Sequence, residues 1–170
     1  MAGFEFFDRA VTTIWLIRFF MDYDFLSNSV DETIEIGCKI GRQLRGGEVI
    51  ALTGPLGSGK TYLTKGIAEG AGAEKGNVSV ISPSFVIVNE YSGRLDIYHI
   101  DAYRIQSVEE FETIGFDDFC YSNSVVLIEW ADKILSALEG ISYVRITLSH
   151  QGQNARKILI ENLPEYVLLK

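Results

Sequence analysis

Two periodicities alternate along the chain from Ser29 onward. Ser29, followed three positions later by Glu32, has the spacing of a capping box, in which the hydroxyl accepts from the first helical turn and the carboxylate reaches back. Ile34, Ile36, Cys38, Ile40, Gly41 and Leu44 then recur at mixed helical spacing, and Gly46 with Gly47 is the expected stop. Residues 49–52 form a short continuous apolar run, the pattern of a strand buried on both faces. A Gly-rich loop spans 54–61. After it, Tyr62, Leu63, Ile67 and Ala71 mark one face of a second helix that ends at Gly70 and Gly72.

Downstream, two β-rich runs, 85–91 and 95–100, flank Ser92, Gly93 and Arg94 and read as a hairpin. An acidic helical stretch over 108–114 leads to a second continuous apolar run at 125–128. A short helix is expected over 131–138. Strands over 142–149 and 155–162 follow, with a turn at Gln151-Gly152-Gln153-Asn154. Helices alternating with buried strands define an α/β class, and the hairpins make the sheet mixed, flanked by helices. No repeat or linker divides the pattern, so residues 25–170 read as one domain.

The segment before it, residues 1–24, reads as an N-terminal extension. Its apolar stretch is broken at Arg18 and is too short for a membrane span, which needs about 18 or more apolar residues. Glu5 and Asp8 precede it and no small-residue cleavage site follows, unlike a signal peptide. Two readings stand: a leader that packs on the domain or frays, or a native start at Met21.

Composition narrows the class of partner. Of 170 residues, 47% are hydrophobic, enough for one sizeable core, and the formal net charge is −8. Phosphate backbones are gripped by clustered cations, so the chain is not expected to hold DNA or tRNA alone. Its two cysteines, Cys38 and Cys120, lie far apart without metal-ligand spacing and fit a reducing, cytoplasmic setting.

The sharpest chemical signal is Gly54-Pro55-Leu56-Gly57-Ser58-Gly59-Lys60-Thr61, which matches G-x-x-x-x-G-K-[ST]. Glycines let the backbone curl with its N–H groups inward, and the helix opening at Lys60 adds its positive dipole end. In such a cradle the lysine reaches the β- and γ-phosphates and the Thr61 hydroxyl is placed to coordinate Mg²⁺. A second carboxylate near the metal is expected at the end of a neighbouring buried strand, and Glu129 closes the run 125–128. Without the cradle, Glu129 would read as a solvated strand end. His99-Ile100-Asp101-Ala102-Tyr103-Arg104 also leaves a strand, and alternation puts His99, Asp101 and Tyr103 on one side if extended geometry persists. Taken alone, that run reads equally as an ordinary strand end. Ser82-Pro83-Ser84-Phe85 offers a hydroxyl for a switch loop, though its pattern alone is that of a plain turn.

In order, Ser27-x-Ser29-x-x-Glu32-Thr33, the Gly54–Thr61 loop, Ser82-Pro83-Ser84-Phe85, His99-x-Asp101-x-Tyr103-Arg104 and Ile128-Glu129-Trp130 resemble the TsaE family. These are small P-loop ATPases needed to make threonylcarbamoyladenosine in bacterial tRNA. The resemblance covers about residues 25–165 and implies a P-loop NTPase-like domain that uses ATP and Mg²⁺ beside TsaB- and TsaD-like proteins. It implies that tRNA is met only through that complex. Carried over position by position, it assigns Asp101 and Glu129 to catalysis and Thr61, Glu129 and Asp101 to the metal. Nucleotide contacts fall to Gly54, Leu56, Gly57, Ser58, Gly59, Lys60, Thr61, Tyr62, Ser84 and Trp130. Three positions depart from the family pattern: Pro55 stands for Asp, Ser58 for Ala, and Ser84 for Thr. Ser84 keeps its hydroxyl, whereas Pro55 fixes φ and removes one N–H.

Two other functions share the cradle. A small-molecule kinase would need an acceptor pocket and an Arg-bearing lid, and Arg104, Arg145 and Arg156 are not clustered in one. A nucleotide-gated binding module would need no turnover at all.

Overall fold

The computed structural model describes residues 20–73 and 88–169. In chain order the elements are β1 (Phe20–Ser27), α1 (Val30–Gly41), β2 (Glu48–Thr53), α2 (Lys60–Gly70), β3 (Val88–Tyr91), β4 (Asp96–Asp101), α3 (Val108–Glu112), β5 (Ser124–Glu129), β6 (Val144–Gln151) and β7 (Ala155–Pro164). Seven strands form one sheet in the order β1-β7-β6-β2-β5-β4-β3. The central four, β6-β2-β5-β4, pair in parallel, and antiparallel pairs close both edges. The mixed α/β architecture expected from the pattern is what the chain adopts.

Both apolar runs lie in the middle of the sheet because they can bury both faces. Ile50 and Leu52 of β2 pack with Val125 and Leu127 of β5 under α1 and α2. Val49 and Ala51 pack with Val126 and Ile128 on the opposite face, beneath α3 and a set of 3₁₀ turns. Each such Ile, Leu or Val contributes about 1.5–3 kcal/mol by leaving water.

On the first face, α1 and α2 approach backbone to backbone. A Cβ at Gly41 would stand 2.1 Å from the Ile67 carbonyl oxygen, and one at Gly66 would stand 2.1 Å from that of Ile34. Only glycine permits that contact, so α2 is fixed against a second helix along its length. The start of α1 is fixed too. Ser29 Oγ accepts from the Glu32 N–H at 3.1 Å, and the Glu32 carboxylate accepts from the Asn28 N–H at 2.6 Å. The back-reach therefore lands one residue earlier than the box pattern implies. Ser27 Oγ and Thr33 Oγ1, 2.8 Å apart, tie β1 to α1.

Several expected boundaries shift. β1 starts at Phe20 and pairs with β7 from Phe20↔Pro164 to Ser27↔Arg156, so residues 20–24 are sheet and the 24/25 boundary falls inside a strand. The first helix ends at Gly41 rather than at the Gly46-Gly47 pair. The helix expected over 131–138 is two 3₁₀ turns, Ala131–Lys133 and Leu135–Leu138, and the acidic helix is only Val108–Glu112. The hairpin is β3–β4; its residues 85–87 lie outside the described residues. Among the described residues, no helix is long and apolar enough to cross a membrane.

Candidate nucleotide site

The C-terminal ends of β2, β4 and β5 face the start of α2, and the parallel register aligns what they carry. Asp101 pairs with Glu129, and His99 with Leu127. Side chains alternate across a strand, so His99 and Asp101 share the α1–α2 face with Glu129. Extended geometry stops at Asp101, where the chain enters a 3₁₀ turn, Ala102–Arg104. Tyr103 consequently leaves that row, contrary to the strict-alternation expectation, and is 51% exposed.

The loop over 54–61 curls as its glycines permit. Gly54 has φ 137° and Gly59 φ 100°, and a Cβ at Gly54 would come within 2.2 Å of the Leu148 carbonyl oxygen. Gly59 precedes the first residue of α2, so the loop ends at a helix N-terminus, an anion-attracting geometry. Lys60 folds back along the loop, its Nζ donating to the Gly54 carbonyl at 2.7 Å and the Pro55 carbonyl at 3.1 Å. The same Nζ lies 3.6 Å from the centre of the Trp130 ring. Burial pushes the Lys60 pKa below the usual lysine value, against the opposing pull of the Glu129, Asp132 and Asp101 carboxylates. Leu56, at the crest, is 77% exposed and Tyr62 is exposed on α2, whereas Ser58 is buried with its Oγ unpartnered among the described residues.

Glu129 is the centre of the cluster. It is 3% exposed; Oε2 accepts from the Thr61 hydroxyl at 2.8 Å and Oε1 meets His99 Nε2 at 3.0 Å. Burial alone would raise its pKa, but the hydrogen bond and charge of His99, with the bond from Thr61, outweigh it and hold the carboxyl below its ordinary value. Asp101 accepts from the Tyr103 N–H at 3.0 Å and so caps the turn that presents Tyr103. Tyr103 packs against Trp130, ring centres 4.9 Å apart, and its carbonyl accepts from Lys133 Nζ. Trp130 itself sits in the left-handed region at φ 58°, which costs a non-glycine residue about 1–2 kcal/mol. That backbone turn lays the indole over the cradle lysine.

The structure brings Gly54, Lys60, Thr61, Asp101, Glu129 and Trp130 together at one end of the sheet. Ser84 lies outside the described residues. The sequence reading gave no role to His99 or Asp132, although His99 stands two residues before Asp101 and so had to share its face. Among the described residues no group of three or more His, Cys, Asp or Glu side chains forms a metal cage.

A parallel sheet centre, a glycine loop leading into a helix, and a carboxylate from the adjacent strand meeting that helix's second residue define an α/β domain of the P-loop class. Residues 27–158 match the family model described as Threonylcarbamoyl adenosine biosynthesis protein TsaE. The chain belongs to the TsaE family. It is 36% identical over 135 residues to the tRNA threonylcarbamoyladenosine biosynthesis protein TsaE of Treponema pallidum, covering 79% of this chain and 97% of that protein. The Bacillus subtilis protein of the same name is 40% identical over 113 residues, 66% of this chain and 68% of the relative. The crystal structure of Bacillus subtilis YdiB superposes with a TM-score of 0.68 at 28% identity, over 88% of this chain and 90% of that one.

Proposed function

We propose that this chain is an ATP-hydrolysing subunit of tRNA threonylcarbamoyladenosine biosynthesis, slow alone and completed by TsaB- and TsaD-like partners. The observation that carries the reading is the 2.8 Å contact between Thr61 Oγ1 and Glu129 Oε2. It joins the hydroxyl that closes the cradle motif to the carboxylate of the neighbouring strand, and nothing in a purely structural Gly-rich turn calls for that pairing. Mg²⁺ suits such a donor pair because it takes one or two protein oxygens and fills its remaining positions with phosphate and water. When bound, it would neutralise charge building on the phosphates.

The chain's own groups have separable parts. The loop N–H groups and the start of α2 hold the phosphates. Lys60 exchanges the Gly54 and Pro55 carbonyls for phosphate oxygens. Thr61 and Glu129, with Asp101 beside them, would hold Mg²⁺, and the Glu129 carboxylate would orient water toward the γ-phosphate. Leu56 and Tyr62 flank the loop, Ser84 supplies the switch hydroxyl, and Trp130 covers the nucleotide side. With net charge −8 the chain reaches tRNA only through its partners. The family's place in a tRNA modification pathway supports this reading over a metabolite kinase.

The test is phosphate release from ATP by the full chain, first alone and then with both partner proteins and tRNA. Turnover that rises on assembly, without phosphorylated metabolite, is expected. Transfer of the γ-phosphate to a small molecule would overturn the reading.

A further inference from the structure

His99 touches neither the loop nor α2 through any hydrogen bond among the described residues, yet it is bonded to the central carboxylate. It is 1% exposed, on β4, and its Nε2 lies 3.0 Å from Glu129 Oε1. An ionised carboxylate only accepts, so Nε2 carries a proton and donates it to Glu129. Nδ1 is buried with no hydrogen-bond partner among the described residues. An apolar side chain would avoid that orphaned atom, as Ile97 does two residues earlier on the same face. Among the described residues the hydrogen bond of the imidazole goes to Glu129.

A glutamate has three side-chain torsions, and the partners of its two oxygens select among them. With Oε1 held by His99, the carboxylate plane is set, and Oε2 is directed at Thr61 and the mouth of the cradle. We propose that His99 is a positioning residue for nucleotide hydrolysis, its Nε2–H fixing the Glu129 carboxylate so that Oε2 meets the cradle in one orientation. This rests on the reading of Glu129 as the hydrolytic carboxylate.

Two measurements test it. The first uses the full chain without nucleotide and ¹⁵N-labelled histidine. The chain has two histidines, so His150→Gln identifies the signals. His99 should be the Nε2–H tautomer, and its Nε2 proton should shift in Glu129→Gln. An Nδ1–H tautomer would overturn the proposal.

The second compares ATP turnover, with the partner proteins, for His99→Asn and His99→Gln. Both keep an amide, but only glutamine extends far enough to place its N–H near the Nε2 position. Asparagine should lower kcat about 10–100-fold with KM for ATP nearly unchanged, and glutamine should restore most of it. In a Glu129→Gln background His99→Asn should add less than about twofold, since the two act as one unit. Equal loss in both His99 variants, or full additivity, would show a role in packing only. Full activity of Glu129→Gln would defeat the hydrolytic reading and the proposal with it. Low activity there with normal activity of His99→Asn would defeat the proposal alone.

Discussion

Lys60 and Trp130 meet at the same point from two layers built very differently. Lys60 opens α2, which is locked to α1 by glycine-to-backbone contacts at Gly41 and Gly66. Trp130 precedes a three-residue 3₁₀ turn, Ala131–Lys133, in a layer of short turns held by single i→i+3 bonds such as Lys133 N–H to the Trp130 carbonyl at 3.1 Å. A helix pair without side chains between its backbones has one close-packed arrangement, whereas a short turn re-aims with a few torsions. On that ground the first layer is expected to be the stiffer one, presenting the cation, and the second the more adaptable one, presenting the aromatic ring. In the proposed reading, rigid phosphate geometry and a cover that changes on occupancy are different demands, one falling to each layer.

The comparison breaks first if the helix pair tolerates bulk. Gly66→Val should cost about 3 kcal/mol or more, because the new side chain meets the Ile34 carbonyl rather than a flexible side-chain end. Denaturant midpoints would show it. A loss below about 1 kcal/mol would mean that the pair yields as easily as the turns.

A second, smaller effect separates chemistry from binding. Glu129→Gln and Asp101→Asn keep shape and remove charge, so turnover in the partner complex should fall about 100-fold for Glu129 and by less for Asp101. ATP affinity should move far less. Turnover near wild type in both would remove these carboxylates from the reaction.

How much of this was legible beforehand follows from what each signal depends on. The cradle, the strand ending at Glu129 and the cap at Ser29 are local patterns with fixed spacing, and each appears where its residues stand. β1 was hidden because Phe20 and Met21 continue an apolar stretch broken at Arg18 and ended by Asp22, and only the partner strand β7 makes them a strand. The 3₁₀ turns after Trp130 depend on its left-handed backbone, which no propensity assigns to tryptophan. The helix-pair contact needs glycines on both helices at once, and periodicity reads one helix at a time. The bond from His99 to Glu129 needed the β4–β5 register, which pairs His99 with Leu127 and so puts Glu129 diagonally across from it on the same face.

A third prediction reads the adaptable layer directly and is the smallest. Nucleotide drawing Lys60 away from the Trp130 ring should change the indole emission, because a cation then leaves the ring face. Trp15→Phe removes the other tryptophan. Unchanged emission at saturating ATP and Mg²⁺ would leave the cover in place and the two layers equally stiff.

The central claim is that the loop over 54–61 holds nucleotide phosphate through Lys60. Calorimetric titration of ATP with Mg²⁺ into the wild-type chain and Lys60→Ala tests it most directly, with thermal unfolding to confirm that the variant folds. The wild type should bind, and the variant should lose about 100-fold or more in affinity while staying folded, since a buried charge-assisted contact to phosphate is gone. Equal affinity in a folded variant would contradict the assignment of the loop as a phosphate cradle.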